Sequence, residues 1–341
     1  MSLLTVKNLH TYFDTEEGVV KAVEGIDMTI EEGEIVGLVG ESGSGKSVTA
    51  KSILRLIDSP GKIVDGSITF DGRELLAMSE AELRRIRGNE MSMIFQDSMT
   101  AFNPTQTVGR QIHDVLRTHE SGSVGILKRA IKMDHSKEHQ EQVIEVLDRV
   151  GIPSPESRYS DYPHEFSGGM LQRAMIAMSI ICNPSLIIAD EPTTALDVSI
   201  ESQILSIVRD LVEQLNTSLL WITHDLSVIS EICDKVVVMY AGKVLETGPM
   251  EDVLERPQHP YTRELLKSVP RYDRPDQKLH LIEGSIPNPT NLPTGCRFAD
   301  RCPDVHEQCW VEHPPMYNVG EQSAACYLHE MESEVEMEGH E

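Results

Sequence analysis

Residues 40–47 read GESGSGKS, directly after the apolar stretch 35–39 and directly before a helical stretch. The run fits the pattern GxxxxGK[ST], and the order strand, glycine loop, helix is the context that this pattern needs. Its glycines let backbone N–H groups wrap an anion, and the following helix points its positive end at the same place. Lys46 adds a point charge, and the Ser47 hydroxyl is suited to ligate Mg²⁺ beside bound phosphates. A tight glycine turn is the alternative, and eight matching residues in context outweigh it. The expected phosphate-contacting set is Gly40, Ser42, Gly43, Ser44, Gly45, Lys46 and Ser47.

Two further runs gain meaning from this loop. Residues 186–190 read LIIAD, a buried-strand pattern ending in a carboxylate, with Glu191 next. Asp190 is suited to hold Mg²⁺ through water, and Glu191 to polarise an attacking water. Alone, an apolar strand ending in Asp-Glu is as well explained by a helix cap; beside a phosphate loop it is the expected metal-side partner. Residues 166–172 read FSGGMLQ, about fourteen positions before that strand. A serine and two glycines at a helix start offer a hydroxyl and open N–H groups to an anion.

Short β-branched runs bounded by glycines alternate with longer amphipathic segments, which predicts an α/β architecture with a mainly parallel central sheet. The predicted strands are 3–8, 34–39, 92–95, 186–189, 218–222 and 235–240. Helix formers dominate about 105–180, predicted as an inserted helical subdomain. Periodicity fades near Pro270, so the expected organisation is a nucleotide-binding domain over 1–269, a cysteine-bearing segment over 270–329, and an acidic tail without fixed structure over 330–341.

The apolar stretches are far shorter than the roughly 20 residues needed to span a bilayer. Residues 1–9 lack a basic segment followed by an apolar run, which predicts a cytoplasmic location. Thirty Lys and Arg against 55 Asp and Glu give a formal charge of −25, which argues against nucleic acid as a partner. Six cysteines in such a chain are expected to stay reduced.

Taken in order, these runs make the chain similar to the ABC ATPases over roughly residues 3–265. The resemblance implies a P-loop NTPase fold of ABC type that binds ATP and Mg²⁺. It makes 40–47 the Walker A loop, Gln96 the Q-loop glutamine that also faces Mg²⁺, and Ser167, Gly168 and Gly169 the core of the signature. Asp190 becomes the Walker B aspartate, Glu191 the catalytic glutamate, Thr194 to Asp197 (TALD) the D-loop, and His224 the switch histidine. Phe13, beside Tyr12, matches the adenine-stacking aromatic. The signature departs from LSGGQ, with Phe166 and Met170 in place of leucine and glutamine.

A narrower resemblance, to the oligopeptide and dipeptide importer ATPases and to their D-type subunit, rests on GESGSGKSVT, FNP at 102–104, HPYT at 259–262 and LPTGCRFADRC at 292–302. It implies two membrane-spanning permease subunits, a second homologous ATPase subunit forming a heterodimer, and an extracytoplasmic substrate-binding protein. The chain would sit peripherally on the cytoplasmic side of the inner membrane. Peptides are the expected cargo, with oligosaccharide or nickel as alternatives. DNA-repair ABC ATPases, split by long coiled coils, and translation-factor types, with two heads per chain, fit poorly.

Cys296, Cys302, Cys309 and Cys326 are spaced C-x5-C-x6-C-x16-C. By chemistry alone they suit an iron–sulfur cluster, zinc or free thiols, with His306, His313 and His329 near enough in sequence to join a mixed site. The importer resemblance implies a [4Fe-4S] cluster of structural role. Cys182 and Cys233 are expected to be buried thiols.

Overall fold

The computed structural model describes residues 2–123, 136–194, 197–268 and 280–330. The expected boundary near 270, the tail beyond 330 and the centre of TALD lie outside them. The chain divides into two compact units, Met1–Leu76 with Trp221–Glu341, and Ala77–Leu220.

The first unit opens on two long strands, Ser2–Thr15 and Gly18–Glu31, paired antiparallel from Thr15 and Gly18 back to Ser2 and Glu31. Gly61–Phe70 joins the free edge of Ser2–Thr15, also antiparallel, and Arg73–Glu74 completes a four-stranded sheet. Leu4, Val6, Leu9, Ile26, Ile30 and Ile68 form its buried face. The sequence predicts a mainly parallel central sheet; the predicted strand at 3–8 instead belongs to this separate antiparallel sheet. With one face exposed, its strands alternate polar and apolar residues and lack the unbroken runs that mark buried parallel strands.

In the same unit Ile35–Val39 runs parallel to Lys235–Tyr240. All five residues of Ile35–Val39 are buried, which explains its continuous apolar sequence. Lys235–Tyr240 turns through Ala241 and Gly242 into antiparallel Lys243–Pro249. The hairpin Tyr317–Val319 and Gln322–Ala324 then adds to Lys243–Pro249 through Glu246 with Ala324 and Thr247 with Ser323. Residues near the end of the chain thus extend the sheet that carries the phosphate-loop strand. Tyr240, Tyr261 and Phe298 cement this junction, with ring centroids 4.7 to 5.4 Å apart and no exposed surface.

The second unit holds a parallel pair, Met91–Ile94 and Leu186–Asp190, with helices Val108–Ser123, Ser136–Arg149, Gly168–Ile180 and Val198–Leu215. Val108, Ile112 and Leu116 repeat every fourth residue on one helix face, and Val143, Val146, Leu147 and Val150 follow the i, i+3, i+4, i+7 pattern. These stripes pack the first two helices on each other and on Gly168–Ile180.

Candidate active site

The first unit carries the phosphate loop. Gly40 has φ +153°, and a Cβ there would lie 2.0 Å from the Met239 carbonyl oxygen. Gly45 has φ +103°, and its Cβ would lie 2.3 Å from the Ala22 carbonyl oxygen. Only glycine fits either place. A Cβ on Gly43 would meet nothing within 4 Å, so the loop opens to solvent there. Gly45 caps the helix Lys46–Ile53, whose amino end, the end that favours an anion, thus opens directly from the loop. Lys46, only 4% exposed, donates from Nζ to the carbonyls of Gly40 at 2.7 Å and Glu41 at 3.0 Å. Ser44 lies fully buried in the loop, and Ser42 is exposed beside Gly43.

The second unit carries the carboxylates. Pairing of Ile94 with Ala189 puts the residues that follow each strand side by side, at the carboxyl ends of a parallel pair. Asp190, the last strand residue, is 5% exposed. Glu191 takes the left-handed conformation, φ +46°, uncommon for a residue with a side chain. Gln96 donates from Nε2 to Glu191 Oε2 at 3.0 Å, and the Thr194 hydroxyl donates to the same oxygen at 3.0 Å. The sequence reading paired Gln96 and Glu191 only by role and missed the Thr194 hydroxyl. Its signal was a hydroxyl three residues past a carboxylate.

Ser167 caps the helix Gly168–Ile180, its Oγ accepting from Met170 N at 3.3 Å. Ser167 and Gly168 are exposed, and a Cβ on Gly169 would stand 3.2 Å from Ile200. Phe166, in the place of the usual leucine, is buried. Asp197 stands at the start of Val198–Leu215. In the first unit His224 is exposed after the strand Ser218–Thr223, in a turn where Asp225 N donates to the Thr223 hydroxyl at 3.0 Å. Phe13 is half-buried over Gly61, while Tyr12 is engaged by His10 Nδ1 at 3.1 Å and by the Lys21 ammonium.

Cys296, Cys302, Cys309 and Cys326 line one small cavity with His259 and His306. Among the described residues no three His, Cys, Asp or Glu side chains converge as ligands of one metal ion. The expected metal-binding character of this segment, the [4Fe-4S] cluster and the zinc alternative alike, is therefore not supported by a converging ligand set. Burial, then the neighbouring Cys309 and Cys326, pushes the Cys296 thiol up to about 11. Burial also pushes Cys302 up to about 12 and His259 down to about 3, so His259 is neutral. His329 is occupied elsewhere, its Nε2 3.1 Å from the Gln258 carbonyl. Cys233 is buried as expected, whereas Cys182 is only partly so.

Two family models match the chain, one described as ABC transporter over residues 23–194 and one as oligopeptide/dipeptide transporter, C-terminal region, over residues 245–309. The oligopeptide transport ATP-binding protein AppD of Bacillus subtilis is 47% identical over 97% of this chain and 98% of its own. The dipeptide transport ATP-binding protein DppD of Haemophilus influenzae is 42% identical over 99% and 100%. Among solved structures, the dimeric ATP-binding cassette MJ0796 in a post-hydrolysis state with ADP and Pi has a TM-score of 0.62 at 25% identity, covering 72% of this chain and 98% of that one.

Proposed function

Because the chain belongs to the ABC transporter family and carries the C-terminal region of the oligopeptide and dipeptide transporters, we propose that it is the ATP-hydrolysing subunit that powers import of di- and oligopeptides. The observation that carries the catalytic part is the Glu191 carboxylate, fixed by Gln96 and Thr194 at the end of a buried strand. A carboxylate so held can orient and polarise a water, the proton-accepting role that phosphoryl transfer asks of the protein.

In this reading Gly40, Ser42, Gly43, Ser44, Gly45 and Lys46 cradle the phosphates, Phe13 stacks on the base, and His224 faces the γ-phosphate. Ser47, Asp190 and Gln96 hold Mg²⁺, which when bound neutralises phosphate charge. Ser167, Gly168, Gly169 and Asp197 serve the ATP of a facing head. Two features support that arrangement: the exposed start of the signature helix and the dimeric state of the similar cassette MJ0796. The facing head is a second, homologous ATPase subunit. Two permease subunits and an extracytoplasmic binding protein complete the machine, with this chain peripheral on the cytoplasmic face. Among the described residues no helix is long and apolar enough to cross a membrane.

The cysteine segment, about 270–329, suits a [4Fe-4S] cluster better than a single ion. Four thiols around a shared cavity match a ligand set wrapped over a cluster, whereas zinc draws its sulfurs to about 2.3 Å from one point. A bound cluster would cross-link four positions within residues 280–330, whose regular elements are all short, and the thiols would bind it as thiolates.

Replacing Glu191 by Gln tests the motor. ATP binding should persist while turnover falls by roughly 10²-fold to 10⁴-fold. Hydrolysis at near-normal rate would remove Glu191 from its role. ATP-dependent uptake of a labelled dipeptide into vesicles holding the assembled complex tests the cargo, and uptake confined to another solute class would refute peptide import.

A further inference from the structure

Two short segments that line the cysteine cavity also reach the phosphate loop, and both arrive at Glu41. In the first, His259 Nδ1 accepts the Tyr261 backbone N–H at 3.0 Å, and the Tyr261 hydroxyl accepts the Glu41 backbone N–H at 2.9 Å. In the second, Arg301, between Ala299 and Cys302 of the cavity wall, donates from Nη1 to both Glu41 carboxylate oxygens at 3.0 Å. The Arg301 side chain is 4% exposed, and Glu41 is 27% exposed. The same guanidinium bonds the Tyr240 hydroxyl at 3.1 Å and the carbonyls of Ile282 and Glu283, and lies over the rings of Tyr240 and Phe298. Arg301 therefore has little freedom to leave Glu41.

Glu41 puts a carboxylate into a loop that has to receive a polyanion. Left unpaired, its charge would oppose the phosphates. Paired with a buried guanidinium, it is cancelled and fixed. The backbone at 40–41 matters equally, because Lys46 rests on the carbonyls of Gly40 and Glu41. We propose that Arg301 and Tyr261 are positioning residues for nucleotide binding: Arg301 cancels the Glu41 charge, and Tyr261 holds the Glu41 amide, so that the loop is set for phosphate before ATP arrives. Both act through Glu41. The inference rests on the nucleotide reading of the loop and does not depend on what fills the cysteine cavity.

The test is titration of the full chain with a fluorescent ATP analogue and Mg²⁺, alongside steady-state hydrolysis. Arg301→Met should weaken binding by about 10-fold to 100-fold, the range for a charge left without its hydrogen-bonded partner, and raise KM with little change in kcat. The deciding result is the double variant: adding Glu41→Gln to Arg301→Met should restore binding to within about threefold of Glu41→Gln alone. An arginine needed only for packing would leave the double variant as weak as the single one, and that outcome overturns the proposal. So does parent-like affinity in Arg301→Met. Should Arg301→Met fail to fold, Arg301→Lys, which keeps the charge, must bind nearly as the parent does, and a loss as large as 10-fold would refute charge cancellation. Tyr261→Phe keeps the ring and removes the acceptor, so affinity should fall about 3-fold to 10-fold, and unchanged affinity would remove Tyr261 from the role. A parent chain that binds no nucleotide would instead refute the reading of the loop itself.

Discussion

Alanine at Gly45 and at Gly43 should have sharply different consequences, although both glycines sit in the same loop with positive φ. At Gly43, φ is +80° and a Cβ meets nothing within 4 Å, so only the left-handed backbone is penalised, by about 1–2 kcal/mol. At Gly45 the same penalty applies, and the new Cβ would also lie 2.3 Å from the Ala22 carbonyl oxygen. That oxygen cannot retreat easily. Ala22 is the extra residue of an irregularity between the pairs Tyr12 with Lys21 and Thr11 with Val23, in a strand bonded along its length. Relieving the overlap adds about 1–3 kcal/mol, for a total of about 2–5 kcal/mol. Urea unfolding followed by Trp221 fluorescence is suited to the measurement, because Trp221 is fully buried in the unit that holds the loop. Gly45→Ala should unfold at distinctly lower urea than Gly43→Ala, and Gly43→Ala should stay folded with weakened nucleotide binding. Equal midpoints would refute the clash and the strand rigidity that it presumes.

Thr194→Val removes a hydroxyl donor to Glu191 Oε2 at an exposed position, so kcat should fall by about 3-fold to 10-fold with ATP affinity unchanged in equilibrium titration. Arg297, 4% exposed and paired with Glu24, should cost about 2–4 kcal/mol when changed to Met, and Glu24→Gln in the same chain should recover part of it in urea melts. Burial alone would raise the Glu24 carboxyl, but the Arg297 guanidinium outweighs it and holds the group below the ordinary glutamate range. Its folded pKa is thus depressed: the stabilisation is present above the unfolded value, near 4.5, and fades as pH falls through the folded one. The acid limb of the stability profile should therefore flatten in Arg297→Met. Anaerobically purified protein should be brown and contain iron and sulfide, and Cys302→Ser should bleach it with the ATP site still formed; one equivalent of zinc in colourless protein would exclude the cluster.

What could be read before the structure followed from range. The loop at 40–47 and the buried strands at 35–39 and 186–190 announce themselves because glycine spacing and unbroken apolar runs are local. Gly18–Glu31, Gly61–Phe70 and Lys243–Pro249 escaped because a strand with a solvent face shows only weak alternation, and bulges such as that at Ala22 break even this. The second strand of the C-terminal hairpin, Gln322–Ala324, is too short for any period to show. Site residues were found by type and order, but their contacts were not. Gln96 meets Glu191 across 95 positions and Arg301 meets Glu41 across 260, pairings that only the assembled sheet creates.

A ribosome emits the chain from its amino end at about 5–20 residues per second, so roughly ten to fifty seconds divide the appearance of Glu41 from that of Arg301. During this interval the nascent loop has neither its guanidinium nor the edge hairpin of its sheet. On the role proposed for Arg301, the nucleotide site is then among the final parts of the molecule to mature, and a prematurely terminated polypeptide lacking that arginine should bind ATP weakly.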